Sequence, residues 1–288
     1  MVRRASTLCG WALRSVVVSA TLELWSYRSL AVNLAGRELK AKYKRSVLGW
    51  LWSLINPAAT IGIYTLVFSV ILRVQPPVAG NGSLENFALY LFVALVFWSY
   101  FQTSIQGSMG ALAGAGPLRT KVYFPVEIPI LSSMAAGLTQ TGVELGILVV
   151  IMLVVGNISW TVLLVPLLLA LLIAFTLGLA LIVGLANVYY RDVGYLVGIV
   201  LNFVFYLTPI VYTLEIVPDD YYVFGISARS IIGYNPMAMF VAAARDLLYG
   251  LESPTLFEWG RLGLLSGASL VLGWIGFQRW SGDVVEEL

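Results

Sequence analysis

Lys40, Lys42, Lys44 and Arg45 fall within the six residues Lys40-Ala41-Lys42-Tyr43-Lys44-Arg45, and Arg37 lies one helical turn upstream. Just before a long apolar run, such a cluster does one of two things. It holds its flank on one side of a membrane, or it meets phosphate or anionic lipid at the membrane surface. Both readings fit these five residues, which are the candidates for contacting a diphosphate or lipid headgroup. Glu144 is the one carboxylate well inside an apolar run. An ionisable group there is either functional or satisfied by hydrogen bonds, through Thr139 or Thr141 on the same run or a serine elsewhere. Phe203, Phe205, Tyr206 and Tyr212 crowd another apolar run. Their ring faces either pack or line a path that offers a passing ligand apolar contact and few fixed hydrogen bonds.

Other chemistry is excluded. The chain has no histidine and one cysteine, Cys9, so a His-based triad, a zinc or haem site and an intrachain disulfide have no residues to build them. No lysine is followed by Ser or Thr, so the chain has no P-loop in which to cradle ATP phosphates. Any ATP and magnesium must be bound by a partner, and no cofactor is expected in this chain. Asp219-Asp220 is the nearest approach to a paired-carboxylate metal motif.

Composition places these residues in a membrane. Apolar residues make up 59% of the 288 and charged residues 11%, with a mean hydropathy of +0.88; ordinary soluble domains are about 25% charged. A span needs about 20 apolar residues, and six runs qualify, at about residues 50–72, 87–109, 128–155, 160–186, 194–212 and 259–277. Two short re-entrant or interfacial helices are expected within 221–250, divided by Asn235-Pro236, because Arg229, Arg245 and Asp246 are costly against lipid. The alternative there is an external loop with a surface helix. Over Glu23–Ser46, Leu24, Tyr27, Leu30, Ala31 and Leu34 alternate with basic residues at helical spacing, which predicts an amphipathic interface helix. Arg14 interrupts the N-terminal apolar stretch, which argues against a cleaved signal peptide. Trp50, Trp52, Trp98, Tyr100 and Phe101 read as interfacial aromatics at span ends.

The expected fold is therefore all-α and integral to the membrane. Residues 1–49 form a cytoplasmic segment, and 50–288 form one transmembrane domain of six spans. Thirteen of the seventeen Lys and Arg fall on one side of this scheme, which places both termini in the cytoplasm.

The segment Gly36 to Trp52, with Asn56-Pro57 after it, resembles the start of type-2 ABC transporter permeases that export polysaccharides. These are the exporters of O-antigen, capsule, teichoic acid and cell-wall galactan. Val122-Tyr123-Phe124-Pro125-Val126-Glu127-Ile128-Pro129, Asn187-Val188-Tyr189-Tyr190-Arg191-Asp192-Val193, Thr208-Pro209-Ile210-Val211-Tyr212 and Asn235-Pro236 resemble later parts of the same family in the same order. The resemblance implies a homodimer with two cytoplasmic ATPase subunits in the bacterial inner membrane, exporting a glycan on a polyprenyl diphosphate. It implies a coupling loop to the ATPase carried by Arg119, Lys121, Tyr123, Phe124, Pro125 and Glu127, joined by Arg191 and Asp192, and a glycan path lined by Phe203, Phe205, Tyr206 and Tyr212. It implies no catalytic residue. Exporters of drugs or small lipids, a membrane-embedded glycosyltransferase and a proton-coupled transporter are the alternatives.

Overall fold

A computed structural model describes residues 27–44, 46–74, 76–116, 124–218, 222–223 and 225–287. Helix α1 (Arg28–Tyr43) comes first. A short 3-10 turn, Gly49–Leu51, leads into α2 (Trp52–Tyr64), which widens into a π-helix over Thr65–Ile71. Then follow α3 (Phe87–Ala113), α4 (Glu127–Val154), a 3-10 turn running into α5 (Val165–Tyr189), and α6 (Val193–Leu207). A two-residue hairpin, β1 (Tyr222–Val223) with β2 (Ile226–Ser227), precedes α7 (Ala228–Gly233) and α8 (Pro236–Arg245). The π-turn Asp246–Gly250 and the long α9 (Leu256–Glu287) complete the chain.

Among the described residues, five stretches are long and apolar enough to cross a membrane: Trp52–Ile71, Phe87–Ala113, Glu127–Val154, Trp160–Tyr189 and Leu256–Gly282. The fifth expected span, at about 194–212, differs. Instead of running to Tyr212, α6 stops at Leu207 after 15 residues. Pro209 disfavours helical backbone at Thr208, which is extended at ψ 130°. At 1.5 Å per residue α6 is about 22 Å long, shorter than the hydrocarbon core.

Local signals set the other ends. The Asn86 side chain accepts from Leu89 N at 3.2 Å and caps α3. Asn235 caps α8 by accepting from Met237 N at 3.0 Å, with Pro236 in the first turn, where its missing N–H is no loss. Thr255 and Glu258 form a reciprocal capping box at the start of α9. The two short helices therefore divide at Asn235-Pro236 as expected.

The central element is α3, buried along most of its length and packed on α4, α5 and α8. Trp98, Tyr100 and Phe101 are at most 6% exposed within it. They are core residues and not an interfacial belt, because they lie midway along Phe87–Ala113, where the helix is surrounded by its neighbours. Close contact also joins α5 to α9. A Cβ on Gly178 would collide with the Ser269 carbonyl, and one on Gly273 with the Gly178 backbone. Small residues at a crossing let two backbones approach where lipid supplies no hydrophobic drive.

Hydrogen bonds define the two ends of the bundle. At one end Gln278 of α9 donates to Glu127 of α4 at 2.7 Å, and the Tyr189 hydroxyl of α5 donates to the Trp280 carbonyl at 2.9 Å. Helix α1 packs at this same end of α4. At the other, Asn157 holds Asn81 N and the carbonyls of Leu248 and Tyr249, while the Tyr249 hydroxyl donates to Pro77 or Leu84. Helix α1 and the last turns of α9 thus share one end, and α7 and α8 turn back at the opposite end.

Candidate transport and coupling surfaces

Helix α1 has two faces. Leu30, Ala31 and Leu34, with Tyr27, pack on Ala115, Phe124 and Ile128. The opposite face exposes Arg37, Lys40 and Lys44, which with Asn33 and Gly36 line an open groove of about 780 Å³. Lys42 lies on the helix; its side chain and Arg45 are outside the described residues. Between the faces sits Glu38. Burial raises its carboxyl above the usual range, against the opposing pull of a hydrogen bond from Ser133 and the charge of Arg37. The basic stripe is held outward because the apolar side of α1 is committed to α4.

Arg119, Lys121 and Tyr123 are outside the described residues. The residues after them turn inward. Phe124 is 1% exposed against α1, Pro125 is half-buried, and Glu127 is buried with its carboxylate on Gln278. These side chains seat the loop and do not offer it a free surface. Arg191 and Asp192 differ: both are exposed at the α5–α6 turn, beside an exposed Tyr190, and Asp192 makes no side-chain cap on α6.

Helices α2 and α6 form a largely uncovered side. Ser53 is the one buried residue of α2 and Leu201 the one of α6. They meet where Tyr64 and Phe205 stack at 6.1 Å. Tyr195, Ile199, Phe203 and Tyr206 recur on the exposed face of α6, each at least 64% exposed. The four aromatic candidates therefore divide. Phe203 and Tyr206 face out. Phe205 is wedged against Trp98 at 5.5 Å, and the Tyr212 hydroxyl donates to the Tyr206 carbonyl at 3.1 Å.

Glu144 is buried in α4 and accepts from Gln140 Nε2 at 3.0 Å. The expected threonine donors are engaged elsewhere, since Thr139 and Thr141 bond back to the carbonyls of Ala135 and Gly137. A glutamine one turn away is the nearer partner on a helix.

Two motifs distant in sequence join at the far end. Asn235 Nδ2 donates to Thr208 Oγ1 at 2.9 Å, which ties the broken end of α6 to the start of α8. Arg245 completes this junction, a role sequence reasoning missed. Its guanidinium is buried, lies 3.6 Å over the Tyr90 ring, and donates to the carbonyls of Tyr90 at 3.4 Å, Pro209, and Ile210 at 2.6 Å. Those of Pro209 and Ile210 follow a helix C-terminus and have no intrahelical donors. Burial pulls the Arg245 pKa down to about 10, so it stays charged at neutral pH. The signal was the cost of arginine in an apolar stretch, which implies paired surroundings as well as distance from lipid.

The family described as ABC-2 type transporter matches residues 30–249. The chain is 33% identical over 254 residues to the O-antigen export system permease protein RfbA of Myxococcus xanthus, covering 88% of this chain and 91% of the relative. It is 31% identical to the protein of that name from Klebsiella pneumoniae, over 76% of this chain and 79% of the relative. It is 24% identical to the polysialic acid transport protein KpsM of Escherichia coli, over 73% and 77%.

Proposed function

Because the chain belongs to the ABC-2 type transporter family, we propose that it is the membrane subunit of an ATP-driven exporter. It would pass a polysaccharide carried on a polyprenyl diphosphate through a path shared with a second copy of itself. The relatives' names support polysaccharide as cargo. The uncovered α2–α6 side carries the reading of a shared path. Two such sides facing each other enclose a path presenting Phe203 and Tyr206 from each copy, and exposed rings let a sugar chain slide without strong fixed bonds. Two cytoplasmic ATPase subunits would bind ATP and magnesium and dock at the end that carries α1, the 117–127 loop and Arg191-Asp192. That end would face the cytoplasm of a bacterial inner membrane, as the basic residues indicate.

In a Cys9→Ser background, Phe203→Cys chains in native membranes should join into dimers with a short thiol-reactive linker. Leu272→Cys, on the exposed side of α9, should stay monomeric. Dimers from Leu272→Cys alone would move the interface to α9.

The loop's attachments predict how coupling fails. Phe124 ties it to α1, and Glu127 ties it to α9 through Gln278. Phe124→Ala removes about 3–5 kcal/mol of packing, enough to detach the loop from α1. Glycan-stimulated ATP hydrolysis in the assembled complex should fall to the basal rate, and Glu127→Ala should cut it several-fold. Full stimulation in both variants would show that the loop works without these anchors.

A further inference from the structure

Two cavities at the bundle end opposite α1 share Arg261 and Met239. One, of about 490 Å³, has Asp246, Glu252 and Glu258 in its lining together with Arg245 and Arg261. The other, of about 480 Å³, is an apolar groove formed by Leu256, Phe257, Gly260, Leu264 and Leu265. Leu256, Phe257 and Leu264 are each more than 70% exposed, so the groove opens to the bundle exterior. The Arg261 guanidinium lies between the Tyr234 and Phe257 rings, at 5.4 and 5.7 Å from their centres, which fixes a cation at the boundary of the two spaces.

Along α9 the order is carboxylate at Glu258, guanidinium at Arg261 and apolar side chains at Leu264 and Leu265. Each step is three or four residues, about 4.5–6 Å along the axis and on one face. A zwitterionic phospholipid carries the complementary sequence: an ammonium, a phosphate beyond a two-carbon bridge, then acyl chains. We propose that this composite site binds one aminophospholipid of the non-cytoplasmic leaflet. Its ammonium enters the acidic cavity, its phosphate sits on Arg261, and an acyl chain lies in the groove.

Charge complementarity selects this occupant. Arg245 is already committed to the carbonyls of Tyr90, Pro209 and Ile210, so a purely anionic lipid would satisfy Arg261 but face three carboxylates. Their mutual repulsion is visible in Asp246, whose carboxyl is pushed up to about 6, first by burial and then by Glu258 and Glu252, against the pull of Arg245. An ammonium relieves that repulsion. The cavity reaches Pro209 and Arg245 at the end of α6 but includes neither Phe203 nor Tyr206, and its leaflet assignment alone rests on the orientation proposed above.

The test is equilibrium binding of short-chain fluorescent phosphatidylethanolamine and phosphatidylglycerol to the full-length protein purified in detergent. Neither export nor an ATPase is involved, so failure here leaves the transport reading untouched. Phosphatidylethanolamine should bind at least tenfold more tightly. Arg261→Gln should weaken both lipids about tenfold. Glu258→Gln should erase the preference while leaving phosphatidylglycerol binding unchanged or improved, and glutamine at that position retains the helix cap. Glu252→Gln, outside the helix, should reduce the preference as well. Equal binding of the two lipids by the unmodified protein, or an intact preference in both glutamate variants, would overturn the proposal. So would displacement of the probe by polyprenyl phosphate but not by unlabelled phosphatidylethanolamine.

Discussion

Arg245→Met is expected to lower the unfolding temperature of the solubilised protein and to reduce glycan export by at least tenfold. Methionine keeps an unbranched stem of the same course but ends where the guanidinium begins, so the main loss is the guanidinium. Three carbonyls, those of Tyr90, Pro209 and Ile210, lose the donors that Arg245 supplies, and a buried carbonyl without a donor costs about 1–3 kcal/mol. The Tyr90 ring also loses the cation above it. The broken end of α6 is then held to α8 by the Asn235–Thr208 bond. Because α6 presents Phe203 and Tyr206 to the proposed path, a loosened end shifts the path lining itself. Arg245→Lys keeps the charge but cannot bridge two adjacent carbonyls as a planar fork does, so it should fall between the wild type and Arg245→Met. Thermal unfolding followed by intrinsic fluorescence, beside export in cells, reads both effects. Wild-type values of both in Arg245→Met would show that the junction is not what holds α6.

The second large effect lies at the other end. Changing Arg37, Lys40 and Lys44 together to glutamine should reduce export by more than tenfold while the protein still inserts and dimerises. These three cations share the outward face of α1, whose inward face is anchored on Phe124 and Ile128. A diphosphate approaching from the surface meets three positive charges within two turns, and each contact between a basic residue and an anionic membrane surface is worth about 1 kcal/mol. Because basic residues also set topology, the orientation of the variant must be checked by labelling a cysteine placed at Gly82, in the loop between α2 and α3. Unchanged export with correct orientation would mean that the stripe serves insertion alone.

Much of this architecture was legible in the chain because its signals are long or chemically sharp. Apolar runs of about twenty residues mark the five long helices, four of them within a few positions, while α9 continues ten residues past its expected end to Glu287. Asn235-Pro236 marks the division of the short helices because a cap and an N-terminal proline act locally. What was not legible depends on tertiary partners. Hydropathy runs on through Thr208-Pro209, so it extended α6 to Tyr212 although the backbone turns away there. Phe203 and Phe205 are equally apolar and two residues apart, yet one faces outward and the other packs on Trp98. Their opposite roles follow from which neighbours α6 has. The same holds for Trp98, Tyr100 and Phe101, whose types suit a membrane interface but whose helix runs through the middle of the bundle. Arg245 and Glu127 were visible as charges, but their carbonyl and glutamine partners lie 35 and 151 residues away, beyond the reach of any local pattern.

The central claim is that this chain forms the conducting part of an ATP-driven polysaccharide exporter. The most direct test places the purified chain in vesicles with the nucleotide-binding subunit proposed for it and a polyprenyl-diphosphate-linked glycan, then measures glycan protected inside inverted vesicles. Protection should require ATP, the nucleotide-binding subunit and this chain together, and Arg245→Met should remove it. Protection without ATP, or from vesicles lacking this chain, would contradict the account.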